Sequence, residues 1–204
     1  SWAKEFYEWD RFDLEERIYK IKIAGGIRNF GESLRREDGP TGDPGVVDSY
    51  GYITGLRDIF KESLKYVKMK NKDVILDLGA NDGTLLNYYK GKKFITIGCE
   101  PARNLQKFLV KNCNFVLNDF WSKKNLNKIL LKNNLRKPKI ITAIGMFYDL
   151  EEPNKFIKDA SDSLDENGIF IAQLMCLKSM IEKNDLGNIC HEHIEFYSLK
   201  SIKF

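Results

Sequence analysis

The run Val74-Ile-Leu-Asp-Leu78 passes without a break into Gly79-Ala-Asn-Asp-Gly83 and then into a stretch of helical spacing. A short apolar strand, a glycine turn and a helix make the first unit of an open sheet buried on both faces. Glycines at 79 and 83 let the backbone turn tightly and approach a ligand at the strand's carboxyl end. From Lys72 onward the alternation repeats. Candidate strands fall at 74–78, 94–99, 114–117, 139–145 and 168–174, with helices at 83–90, 102–112, 123–134 and 153–165. The last helix is well marked by Pro153 at its start, by the stripe Phe156, Ile157, Ala160 and Leu164, and by Gly168 beyond it. The pattern predicts an α/β fold of Rossmann-like type, a mainly parallel twisted sheet with helices on both faces.

This sheet domain is assigned to residues 71–204, and residues 1–70 to a helical N-terminal lid or accessory segment. Trp2, Phe6, Trp9, Phe12 and Tyr19 give residues 1–23 a helical start. Six glycines and two prolines make 24–45 a loop. A further helix is predicted over 53–69, with Leu56, Ile59, Phe60, Leu64 and Val67 on one face. The loop and Tyr50-Gly-Tyr-Ile-Thr54 are placed to close over a ligand.

No stretch approaches the ~20 apolar residues needed to span a bilayer, and the charged N-terminus lacks the apolar run of a signal peptide. The four cysteines form no CxxC pair, which fits a reducing cytoplasm better than a disulfide framework. The net charge of +4 lies wholly beyond residue 70, since residues 1–70 hold 13 basic and 13 acidic residues. Lys123, Lys124, Lys128, Lys132, Arg136, Lys137 and Lys139 fill a window without an acid. A nucleic-acid patch is one reading. Leu126, Ile129, Leu130 and Leu135 give the window an apolar stripe and no aromatic interrupts it for base stacking, so a solvated helix face is favoured.

The glycine turn does not match a dinucleotide loop. The G-x-G-x-x-G form needs Gly at 79, 81 and 84, where this chain has Gly79, Asn81 and Thr84. Glu100 ends the second strand, where a carboxylate accepts from ribose hydroxyls. A ribose acceptor without a diphosphate loop points to an adenosine ligand carrying no phosphate, of which S-adenosylmethionine is the common case. Asp77 adds a second negative charge suited to a sulfonium and an α-amino group.

Ile75-Leu-Asp-Leu-Gly-Ala-Asn-Asp-Gly-Thr-Leu-Leu86 resembles motif I of the class I methyltransferases, in the form seen in sugar (NDP-hexose) C-methyltransferases. Gly98-Cys-Glu-Pro-Ala-Arg-Asn104 is similar to that family's motif around its ribose-binding acid. Asn118-Asp-Phe-Trp121 resembles the segment after strand three, and Ile144-Gly-Met-Phe-Tyr-Asp-Leu150 the end of strand four. The resemblance covers roughly 50–199. It implies S-adenosylmethionine held by Asp77, Gly79, Asn81, Asp82, Gly83, Glu100, Pro101, Asp119, Phe120, Gly145 and Met146, with Asp119 at the adenine amino group and Phe120 on its face.

Both histidines lie in Cys190-His-Glu-His-Ile-Glu-Phe-Tyr-Ser-Leu199. His-x-His beside Cys and Glu has the alternation of a metal site, but no third ligand stands out, so no metal is assigned. The other chemistry is a general base tuned by a carboxylate. The same family carries His-Glu-His before an aromatic Tyr-Ser-Leu segment. The likeness implies His193 as the base that deprotonates the carbon beside a keto group, with Glu192 assisting. Carbon becomes a methyl acceptor only as an enol or enolate, whereas oxygen or nitrogen needs less activation.

Cys190 stands where the family commonly has Tyr. Gly145, Tyr148 and Asp149 stand where it often has Asn and His, and residues 1–70 hold no cysteine for its zinc module. The resemblance implies a nucleotide-linked keto sugar or related carbohydrate intermediate as acceptor, and these departures widen that to another glycan-pathway intermediate or a polyketide-like carbonyl compound. O- or N-methylation of a glycan, a polyketide or another small metabolite is the alternative, and a non-catalytic binding module or an RNA methyltransferase ranks lower. With eleven residues after His193, the C-terminal strands and an acceptor-binding half are expected to be missing from this chain.

Overall fold

The computed structural model describes residues 44–174, 176–182, 184, 189, 193–198 and 201–203, with side chains from residue 55 onward except those of 179 and 203. The expectations for 1–43, including the helical start and most of the glycine-rich loop, fall outside the described residues, as does Glu192.

The described elements run in the order α1 (Pro44–Tyr66), β1 (Val74–Leu78), α2 (Thr84–Lys90), β2 (Ile95–Cys99), α3 (Gln106–Asn112), β3 (Phe115–Leu117), α4 (Lys123–Lys132) and β4 (Pro138–Ile144). They continue through a 3-10 turn (Phe147–Asp149), α5 (Pro153–Ser163), β5 (Ile169–Gln173), α6 (Leu177–Glu182) and a second 3-10 turn (Ser201–Lys203). The five strands form one all-parallel sheet in the order β3-β2-β1-β4-β5. Chain order reverses between β1 and β4, and a crevice opens at such a switch point beyond the carboxyl ends of the strands.

Both faces of the sheet are covered. Val74, Leu76, Leu78, Ile97, Ile141 and Ala143 point into one apolar layer with Leu126 and Leu130 of α4 and Phe156 and Ala160 of α5. Ile75, Ile140, Ile169 and Ile171 point into the other, with Leu56 and Ile59 of α1, Leu85, Leu86 and Tyr89 of α2 and Leu109 of α3. This alternation is the two-residue period of a strand buried twice. It explains why apolar runs, rather than alternating ones, mark these strands.

Helix boundaries depart from the expected ones. α1 starts at Pro44, nine residues earlier than predicted, because Pro suits a first helical turn and the glycines at 45, 51 and 55 are tolerated inside the helix. Residues 44–45, assigned above to the loop, are thus helical, as is Tyr50-Gly-Tyr-Ile-Thr54. α3 starts at Gln106 rather than 102, because Leu105 N donates to Ala102 O and Gln106 N to Arg103 O in turns that precede it. α5 ends at Ser163, and Gly168 closes the following turn by donating to Asp165 O at 2.8 Å. The short α6 carries no sequence signal that was recognised.

The basic window is partly neutralised within the fold. Lys123 pairs with Asp162 of α5 at 2.8 Å, Lys137 donates to the Asp162 carbonyl at 2.9 Å, and Lys139 lies 3.9 Å from Asp73. Ser122 caps α4 by accepting from Asn125 N. Among the described residues no group of His, Cys, Asp and Glu is arranged to hold a metal ion, and no helix is long and apolar enough to cross a membrane.

Gly98 lets α3 pack directly on β2, since a Cβ there would lie 2.7 Å from Leu109 Cδ1 and 3.1 Å from Leu86 Cδ1. Both leucines are buried and have little room to retreat. Gly98→Ala is expected to lower stability by about 1–3 kcal/mol, the usual range for overpacking. A denaturant titration with an unchanged midpoint would contradict this reading.

Candidate functional site

The site is built on the first turn. Gly79 leaves β1 at φ +71° and Gly83 enters α2 at φ +82°, with Asn81 between them at φ +50°. A side chain at Gly79 would be strained in that left-handed backbone, and its Cβ would sit 3.0 Å from Met146 Cγ. Gly79 N and Ala80 N both donate to the carbonyl of Cys99, at 2.9 and 3.0 Å, so the turn is tied to the end of β2. Asn112 Nδ2 donates to Asp82 O at 2.8 Å and anchors the far side. The Asp82 carboxylate accepts from Thr84 N and Thr84 Oγ1, at 2.9 and 2.7 Å, which holds the start of α2. Its described contacts therefore serve the turn.

Glu100 follows β2 and is buried. One carboxylate oxygen accepts from Asn81 N at 3.0 Å and the other from Ala102 N at 2.9 Å. Each oxygen of a carboxylate has room for a further hydrogen bond, so two backbone donors orient this group and leave it able to accept from a vicinal diol. Pro101 and Asn81 are exposed beside it.

Asp77 lies inside the sheet. It pairs with Gly98 on one side and with Thr142 of β4 on the other. The period of two places Asp77 and Thr142 on the same face, and Thr142 Oγ1 donates to Asp77 Oδ1 at 2.6 Å. Burial raises the Asp77 carboxyl from its ordinary 3.8 to about 7, the Thr142 hydrogen bond lowers it, and the charge of Glu100 adds to the rise. A buried acid held near neutrality at the end of a strand favours a cation brought into the crevice.

Residues 119–120 follow β3 at the same carboxyl end of the sheet. Asp119 is exposed; its carboxylate accepts from Phe120 N at 2.8 Å and Asn125 Nδ2 at 3.2 Å. Phe120 is 77% exposed. The Cys99 thiol donates to Asp119 O at 3.3 Å and so links this loop to β2. Burial, with the charges of Glu100, Asp119 and Asp77, pushes that thiol up to about 12, so it remains a neutral donor. Gly145, at φ +68°, ends β4 next to Met146.

The structure thus brings Asp77, Gly79, Asn81, Glu100 and Met146 around one crevice, with Gly145, Asp119 and Phe120 at its margins. Thr142 and Cys99 were missed at the sequence level. Thr142 carries no motif, and its importance follows only from the β1–β4 register. Cys99 lies within the Gly98–Asn104 motif, where spacing alone gives it no role.

His193 sits on a separate strip, residues 193–198, beyond α6. Its ring meets Tyr148 edge to face at 4.4 Å between centroids. Glu195 N donates to Tyr148 O at 3.1 Å, and Leu177 N to Tyr197 O at 2.9 Å. The Tyr197 ring packs on Phe147 at 5.3 Å. Its buried hydroxyl finds no partner among the described residues, and burial pushes it up to about 12, with the Glu195 charge adding to the rise. Tyr197→Phe is accordingly expected to leave the melting temperature unchanged or raise it, since removing a buried unsatisfied hydroxyl relieves about 1 kcal/mol. A lower melting temperature would show that the hydroxyl has a partner.

Comparison with known proteins agrees with this architecture. The family described as "Methyltransferase domain" matches residues 52–203. The C-methyltransferase NovU of Streptomyces niveus is 19% identical over 155 residues, covering 76% of this chain and 36% of that protein. The chain therefore spans about a third of that relative's length. Among solved structures, the plantazolicin methyltransferase BpumL in complex with SAH superposes with a TM-score of 0.54 at 16% identity, over 87% of this chain and 76% of that one. A putative methyltransferase in complex with the Haloferax volcanii Trm112 activator gives a TM-score of 0.53 at 14% identity, over 76% and 70% of the two chains. These likenesses are to the fold.

Proposed function

The chain belongs to the methyltransferase-domain family, and from that premise we propose that its β1/β4 crevice binds S-adenosylmethionine for methyl transfer to carbon of a small keto compound. The observation that carries the donor assignment is the Glu100 carboxylate, fixed by Asn81 N and Ala102 N and able to accept both ribose hydroxyls. The residues fit such a ligand. The crevice floor at Gly79 has no room for a side chain, Phe120 offers an exposed ring for the adenine, and Asp119 stands beside it for the amino group. Asp77 supplies buried negative charge for the sulfonium and the α-amino end. Gly145, Met146, Pro101, Asp82 and Gly83 complete the wall and the turn.

When bound, the donor supplies an electrophilic methyl group on sulfonium. The protein's contribution is to place the acceptor in line with that methyl and to make the acceptor atom nucleophilic. His193 is assigned the removal of a proton from the carbon next to the acceptor carbonyl, with the proton kept on the imidazole. Glu192 is assigned to support the imidazole or the substrate. The strip carrying His193 is held to the end of β4 through Glu195 N and Tyr148 O, which supports placing the base on the acceptor side.

The motif likeness to sugar C-methyltransferases and the similarity to a C-methyltransferase favour a nucleotide-linked keto sugar as acceptor. The reading is tested by titrating the protein with S-adenosylmethionine in a calorimeter and screening keto sugar nucleotides for a mass gain of one methyl group. His193→Ala is expected to abolish transfer and to leave donor binding intact. Full turnover of that variant with a productive acceptor would remove His193 from the base role.

A further inference from the structure

We propose that Tyr148 is a positioning residue for His193, fixing the imidazole at the edge of the donor crevice. The proposal rests on the reading of His193 as the base.

Tyr148 lies in the middle of the 3-10 turn that follows β4. The turn is closed by Asp149 N donating to Met146 O at 3.1 Å. Its phenol lies above Gly145, where Oη is 3.6 Å from the position a Cβ would occupy. The same side chain presents its ring to His193 at 4.4 Å and an interplanar angle of 68°. One residue thus touches both the end of β4, which borders the donor crevice, and the imidazole.

The contact belongs to a two-point clamp. Adjacent residues Phe147 and Tyr148 receive Tyr197 and His193 respectively, and the Glu195 N bond to Tyr148 O lies between them. The backbone bond fixes the path of the strip but not the rotation of the imidazole about its own side-chain bonds. The Tyr148 ring restricts that rotation, because edge-to-face aromatic pairs have a preferred geometry. A base must lie within hydrogen-bond reach of its proton, so a small rotation is enough to lose the step.

The chain has two histidines, so their imidazole resonances can be assigned by comparison with His193→Gln. In the whole protein saturated with S-adenosylhomocysteine, an Overhauser contact between Tyr148 and His193 ring protons is expected. Tyr148→Phe should keep that contact and the ring-current displacement of the His193 resonances. Tyr148→Ala should lose that displacement. Absence of the contact in the wild-type protein overturns the proposal without need of any variant. Unchanged His193 resonances in Tyr148→Ala, or an equal shift in both variants, also overturn it. Binding of S-adenosylhomocysteine to the wild-type protein, measured in the same samples, tests the methyltransferase reading separately.

Discussion

Asp77→Asn is expected to become more stable than the wild-type protein as the pH rises from 4 to 7. In the unfolded chain the carboxyl ionises near its ordinary 3.8, whereas in the fold burial holds it protonated to about 7. Between those values folding takes up a proton, so each step up in pH costs the native state stability. Below about 4 both states are protonated and the contribution is fully present; above about 7 it has been lost and the loss stops growing. A separation of roughly 3 pH at ~1.36 kcal/mol each sets the total at about 4 kcal/mol. Asparagine does not ionise and can still accept from Thr142 Oγ1, so the variant should lack this slope. Denaturant titrations of both proteins at pH 4, 5.5 and 7 measure it as a difference, in which other titrating groups cancel. Parallel curves would show that Asp77 is hydrated rather than sealed.

The same ionisation couples to the donor. A sulfonium favours the carboxylate, so binding of S-adenosylmethionine at pH 6 should expel the Asp77 proton, and affinity should rise with pH until about 7. The released proton makes the calorimetric enthalpy depend on the buffer. Asp77→Asn should abolish that dependence.

Glu100→Ala is the second large effect. Binding of S-adenosylhomocysteine should weaken about 100-fold, or ~3 kcal/mol, because hydrogen bonds to a charged acceptor contribute about 1.5–3 kcal/mol each. The variant also strands Asn81 N and Ala102 N, which now donate to the carboxylate. The comparison therefore needs a melting curve beside the calorimetry, and Glu100→Gln as a partner. The glutamine keeps one acceptor oxygen and should fall between the two. Wild-type affinity in the alanine variant would end the ribose assignment.

The strands were legible because burial on two faces makes them apolar throughout. Val74–Leu78 and Ile169–Gln173 needed no context to be read. α1 was legible only in its second half: Leu56, Ile59 and Leu64 are spaced as a helix, whereas Gly45, Gly51 and Gly55 have the composition of a loop. In the site, Gly79 and Asn81 lie on the first βα turn and Glu100 at the end of the next strand, so all three could be placed from spacing. Thr142 could not. Its contact with Asp77 depends on which strand lies beside β1, and chain order does not state that. Tyr148 was hidden for the same reason, since its partner arrives from residues 193–198.

The position of β1 between β2 and β4 also orders the assembly of the crevice in time. The Asn81–Glu100 bond joins residues 19 apart, whereas Thr142 and Asp77 are 65 apart. Closing the longer loop costs about 1 kcal/mol more in chain entropy, since each doubling adds about 0.6 kcal/mol. On loop length alone, the β1–β2 half is expected to pair first, with the Glu100 carboxylate oriented before β4 docks. Asp77 is then expected to acquire its Thr142 hydroxyl partner only as β4 docks, a step whose rate mutations in β4 should change more than mutations in β2.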